Sequence, residues 1–230
     1  MLISVIRTLL SGGHVSFLDV LAQVVSVLFV IFCILPLHEF AHAWVANKLG
    51  DPTAKYNGRI TINPLASVDP MGALMLLLVG FGWAKPVPVN PNYFKKPKRD
   101  MALTAFAGPM ANLLSAFVGA VLYVTVILYM PSGMLARFFT VMLNYYVVVN
   151  VSLAVFNFIP VPPLDGSRIL GAFLSDRMLA KYYSYQSTLS MLLMILLLTG
   201  ALSGPLATVQ NFFLNLIVRA AFFPFQLFLR

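Results

Sequence analysis

Charge is scarce in this chain: ten per cent of its 230 residues are Asp, Glu, Lys or Arg, and only seven are acidic. Ordinary soluble domains carry about a quarter charged residues. The deficit, together with 60% hydrophobic residues and a mean hydropathy of +0.89, excludes a soluble domain with a large core and describes a multi-pass membrane protein. Cysteine is nearly missing too. Cys33 alone permits neither an intrachain disulfide nor a cysteine-rich metal site, and in its apolar run it reads as a small hydrophobe. A secretory cleavage site is not apparent after the short apolar stretch that ends near Val15, so this stretch, with Arg7, reads as a peripheral N-terminal helix. The net charge of +8 does not point to nucleic acid, because the basic residues sit at the ends of apolar segments. Anionic lipid headgroups are the partner that this placement suggests.

Glutamate occurs once and histidine three times. The one glutamate and two of the histidines fall together in His38-Glu39-Phe40-Ala41-His42, inside a long apolar run. Shuffling the chain would produce such a pentad in roughly one sequence in nine thousand. Imidazoles four residues apart share a helix face at about 6 Å, the spacing at which both can bind one tetrahedral zinc. Glu39 beside them can act as general base toward water on that zinc. A single histidine in an apolar helix is ordinarily a hydrogen-bonded core residue. Here the bland reading must also place the only glutamate in a membrane-like segment, where an ionisable group is costly.

In chain order, a helix from about Leu18 to Lys48 would run roughly 45 Å and carry the pentad near one end, with Pro36 as a kink. Gly50-Asp51-Pro52 stops it. Thr53 to Tyr56 and Arg59 to Ile62 around Asn57-Gly58 predict a short β-hairpin, whose free edge could hold an extended peptide; a surface loop is the competing reading. Met71 to Trp83 is too short to span and reads as re-entrant or buried. Lys85 to Arg99, with four prolines and a basic end, is a stiff connector.

Met101 to Met130 is a full span with Gly108-Pro109-Met110-Ala111-Asn112 within it. Its small residues suit close helix packing, and Asn112 serves either packing or site support. Phe138 to Ile159 is the next span and runs into Asn157-Phe158-Ile159-Pro160-Val161-Pro162-Pro163-Leu164-Asp165-Gly166. The prolines place irregular backbone near membrane depth, tolerated only where it is buried or lines a cavity. Asp165 is therefore a candidate oxygen ligand, with a helix N-cap as its ordinary alternative. Ser184 to Leu202 and Leu206 to Phe223 complete the chain. Positive-inside bias turns the pentad and the Asp165 end toward the cytosol.

The pentad, Gly108-Pro109-x-x-Asn112 and the Asn157 to Gly166 block, in this order, resemble the site-2 protease family of intramembrane zinc metalloproteases. The resemblance covers roughly Pro36 to Gly166. It implies one Zn2+ per chain bound by His38, His42 and Asp165, Glu39 as catalytic base, and Asn157 positioning substrate or stabilising the oxyanion. It also implies a compact prokaryotic form, without the peptide-binding or nucleotide-sensing domains of some relatives. Ser67 departs from a histidine expected in many close relatives, which argues against a second metal site.

The expected architecture is an all-α polytopic membrane protein of the cell membrane. It has about five full transmembrane helices, a re-entrant segment and a short β-hairpin near the active site. It forms one domain over residues 1–230, with a catalytic core over about 18–175 and additional helices over about 184–223. The expected partners are a transmembrane protein substrate and the lipid bilayer, with no nucleic acid. A transport or assembly protein, or a catalytically silent metal-binding relative, remains the alternative.

Overall fold

A chain this apolar has one economical way to satisfy its backbone in a bilayer, which is to close each N–H onto a carbonyl of its own helix. The computed structural model describes residues 24–25, 28–79 and 82–228. The expected N-terminal helix and the start of the Leu18 to Lys48 helix lie outside them. The α-helices are α1 (Leu35–Lys48), α2 (Thr53–Tyr56), α3 (Pro64–Ser67), α4 (Pro70–Val79), α5 (Pro97–Tyr129), α6 (Met134–Asn157), α7 (Asp165–Gly171), α8 (Asp176–Ser184), α9 (Gln186–Leu198) and α10 (Ser203–Phe228).

Four stretches among the described residues are long and apolar enough to cross a membrane: Val30–Lys48, Pro97–Tyr129, Met134–Asn157 and Ser203–Gln226. The protein is thus an all-helical membrane protein. The expected fifth span, Ser184 to Leu202, is realised as α9, thirteen residues long. That is about 20 Å, short of a hydrocarbon core of about 30 Å. Tyr185 breaks the chain before it, and Gly200, at φ +74°, ends it.

The central element is α5, touched by α1, α6, α7 and α10. Ala116, Ala120 and Val124 of α5 pack on Val147, Val151 and Val155 of α6, and Ile217 and Ala221 of α10 close the cluster. Small residues allow this approach: a Cβ on Gly119 would lie 2.6 Å from the Tyr146 ring.

Two sequence expectations meet further detail in the structure. At Pro36 the helix changes its winding. A π-helical turn, Val30–Ile34, precedes it, and the Leu35 N–H bonds to the Val30 carbonyl. The wider turn accommodates a residue that has no N–H of its own to donate. The β-hairpin is not formed: Thr53–Tyr56 is helical, and among the described residues the only β-pairing is the isolated bridge between Val68 and Ala84. The reason lies in Asp51 and Gly58. The Asp51 carboxylate accepts the Thr53 N–H at 2.9 Å and starts the turn. Gly58, at φ +64°, ends it as a Schellman cap, with Gly58 N–H bonded to Lys55 O at 3.0 Å and Arg59 N–H to Ala54 O at 2.8 Å. The left-handed glycine that a hairpin turn needs is the same glycine that a helix terminus needs, and Asn57-Gly58 is used in the second way.

Segment 68–84 goes out and comes back. Its ends pair at the Val68–Ala84 bridge, Lys85 N–H bonds to Ser67 O at 2.8 Å, and α4 between them has ten residues. A helix of that length reaches about 15 Å, so the segment does not cross, as the sequence predicts.

Candidate active site

The first half of the site is set by α1. His38 and His42 project from one face of it and are each 6% exposed. The rings pack edge to face with centroids 4.6 Å apart, and their Nε2 atoms are 3.0 Å apart. Opposite them, α5 presents Thr104, Gly108 and Asn112 at four-residue intervals, one face of a helix. His42 Nδ1 lies 2.7 Å from the Thr104 carbonyl. Because a carbonyl only accepts, Nδ1 carries the hydrogen and Nε2 keeps its lone pair. Gly108 sits against both rings: a Cβ there would overlap His42 Nε2 and stand 2.6 Å from His38 Cε1. The glycine is an approach requirement of the imidazole pair as well as a packing residue.

The second half comes from the proline-broken turn after α6. Asn157 ends α6, the Pro162–Pro163 bond is cis, and Asp165 opens α7. Two carbonyls of this irregular backbone are satisfied by side chains: Tyr182 donates to Pro160 O at 2.9 Å and Ser190 to Pro162 O at 2.7 Å. Gly166 lets α7 lie on the turn, since a Cβ would be 2.6 Å from the Ile159 carbonyl carbon. Lys98, at the start of α5, bonds to Leu174 O at 2.9 Å and to Asp176 at 2.6 Å, and so ties the far end of α7 down.

Asp165 makes no side-chain cap to its own helix, whose N-cap is Leu164. Its Oδ2 instead lies 3.3 Å from His38 Nε2 and 3.3 Å from His42 Nε2. His38, His42 and Asp165 are the group of potential ligands that the described residues bring together. Tetrahedral zinc with bonds of about 2.0–2.1 Å separates its ligand atoms by about 3.3 Å. The three observed separations, 3.0, 3.3 and 3.3 Å, fit such an ion.

A cavity of about 790 Å³ adjoins the cluster. Glu39, Asn112, Asn157 and Arg168 line it with Trp83, with Pro86, Val87 and Val89 of the connector, and with Leu206 and Gln210 of α10. Asn157 donates one amide hydrogen to Leu153 O at 3.0 Å. The expected hairpin edge has no such place: Arg59 is 7% exposed and its guanidinium binds the carbonyls of Lys85 and Pro86, the latter at 3.2 Å. Sequence reasoning did not find Thr104, which acts through its backbone, nor the Gln210–Ser152 hydrogen bond of 2.7 Å across the cavity wall. The signal for Gln210 was a lone amide in an apolar helix.

The profile of peptidase family M50 matches residues 26–200. The chain belongs to that family, the family of site-2 proteases. It is 42% identical to "Putative zinc metalloprotease YwhC" of Bacillus subtilis (strain 168), over 71% of this chain and 75% of the relative. It is 30% identical to "Zinc metalloprotease MJ0392" of Methanocaldococcus jannaschii, over 77% of this chain and 44% of that one. A third relative, "Putative zinc metalloprotease Rip2" of Mycolicibacterium smegmatis, is 27% identical over 73% of this chain and 64% of its own length. No solved structure matches the chain. As an M50 member it is a zinc metalloprotease with a membrane-embedded helical body.

Proposed function

We propose that this M50 protease cuts peptide bonds of transmembrane substrates, with one Zn2+ held by His38, His42 and Asp165 and with Glu39 as general base. The observation that carries the reading is the convergence of three ligand atoms from α1 and α7 beside a cavity on whose wall Glu39 stands. When bound, zinc supplies Lewis acidity toward a carbonyl and toward water. Glu39 takes a proton from the attacking water and hands it to the leaving amine. Asn157 spends one N–H on Leu153 O and has a second for the substrate carbonyl as negative charge develops on it.

A helical substrate hides its peptide bonds and must unwind to be cut. The connector from Lys85 to Asn90 is in neither helix nor strand and contributes Pro86, Val87 and Val89 to the cavity wall, so it takes over the substrate-holding role expected of the hairpin. Pro86 and Pro88 have no N–H, which restricts the donor edge to Val87 and Val89. The whole of residues 1–230 acts as one membrane domain, with the site opening toward the cytosol, where the positive-inside bias puts the basic ends. The test is zinc content measured beside cleavage of a model transmembrane peptide, for wild type and Asp165→Ala. The reading expects Asp165→Ala to lose both. Full zinc occupancy and full cleavage in that variant would remove the third ligand from the proposal, and zinc without cleavage in wild type would make the protein a silent relative.

A further inference from the structure

We infer that Asn112 is the positioning residue of His38, doing for that ring what the Thr104 carbonyl does for His42. The inference rests on the proposal that His38 binds zinc. Its starting point is an imbalance in the pair. His42 has a partner for Nδ1, whereas His38 Nδ1 is buried and has no hydrogen-bond partner among the described residues. With His38 Nε2 turned to Asp165 and His42, the neutral ring must carry its hydrogen on Nδ1. A buried N–H of this kind needs an acceptor, and zinc-bound histidines ordinarily donate the distal N–H to one.

The candidate acceptor is close in the fold. Asn112 is 1% exposed, lines the cavity, and has both amide atoms, Oδ1 and Nδ2, buried without a partner. The helix directions bring it to His38. His42 meets Thr104, and His38, one turn earlier on α1, meets Gly108, one turn later on α5, so the two helices run antiparallel. Stepping back along α1 from His42 to His38 is therefore stepping forward along α5 from Thr104. Thr104 meets His42, Gly108 meets both rings, and the next position on that face is Asn112. Asn112 Oδ1 accepts from His38 Nδ1 directly on a small ring rotation or across a single bound water, for which these atoms provide the polar partners. On the other side, Asn150 of α6 is 1% exposed and has an unpartnered Oδ1.

The test compares wild type with His38→Ala, Asn112→Leu, Asn112→Asp and Ser115→Ala, purified metal-free in detergent. Zinc affinity is measured by chelator competition, and the cobalt-loaded absorption spectrum and the metal-free thermal midpoint are recorded. Leucine keeps the amide's shape and removes its oxygen, whereas aspartate keeps the oxygen. The expected result is a roughly ten- to hundred-fold loss of zinc affinity for Asn112→Leu, with altered cobalt bands and an unchanged metal-free midpoint. Asn112→Asp should recover most of the affinity, and Ser115→Ala, a buried neighbour bonded to Ala111 O, should match wild type. Unchanged affinity in Asn112→Leu overturns the inference, as does a loss that Asn112→Asp shares in full. A wild-type protein whose zinc affinity does not depend on His38 overturns instead the ligand assignment beneath it.

Discussion

At the scale of single residues, the pentad's chemistry is separable from its architecture. Glu39→Gln preserves shape and removes proton acceptance, so zinc content should stay at the wild-type level while cleavage falls by roughly 10²–10⁴-fold, the range of a lost general base. Cleavage near wild type would take Glu39 out of the mechanism. Gly108→Ala makes the opposite dissection: its Cβ has no room beside the two imidazoles, and the rings must move. It should lower zinc affinity by roughly tenfold or more with Glu39 intact, and chelator competition reads it directly. His38, Glu39 and His42 were legible because residue type, spacing and rarity coincide in five positions. Asp165 was only half legible, since an aspartate after prolines is as good a cap as a ligand, and its carboxylate direction depends on how Gly166 seats α7 on Ile159.

Elements are where local sequence signals competed. Asn57-Gly58 satisfies both a hairpin turn and a helix terminus, and Asp51 decides between them by capping Thr53 while its other oxygen holds Asn90. Arg59 then points inward as a clamp on the connector. Arg59→Ala should leave two carbonyls short of a donor and cost about 1–3 kcal/mol. The checks are a lower thermal midpoint in detergent and increased proteolysis between Lys85 and Arg99. An unchanged midpoint would make the clamp dispensable. The α4 segment was readable from its length alone, because a run of this size cannot reach across a bilayer. The α9 shortfall was not, since hydropathy counts apolar residues without saying where Tyr185 and Gly200 interrupt the helix.

For the whole molecule, the proposed topology puts Lys96 and Arg137 on opposite faces of the membrane, Lys96 just before α5 and Arg137 just after it in the first turn of α6. In a Cys33→Ser background, Lys96→Cys should react with a membrane-impermeant thiol reagent only from the cytosolic side and Arg137→Cys only from the other; the reverse pattern would invert the proposed orientation. Zinc removal should also lower the thermal midpoint of wild type, because a ligand at a thousand times its Kd stabilises by about 4 kcal/mol, and the shift should vanish in His42→Ala. The sequence by itself determined that the chain lives in a membrane, that Met101 to Met130, Phe138 to Ile159 and Leu206 to Phe223 are long apolar segments fit to span it, and that the pentad and Asp165 are candidate metal ligands. Composition, hydropathy and short-range spacing are local properties, and each is complete within a few turns of helix. Tertiary structure alone decided that α1 runs against α5, so that Thr104 holds one imidazole and Gly108 admits both, and that Asp165 turns to the histidines instead of its own helix. Those outcomes depend on residues 62 and more positions apart meeting at about 3 Å, a distance that helix packing sets and no local pattern encodes.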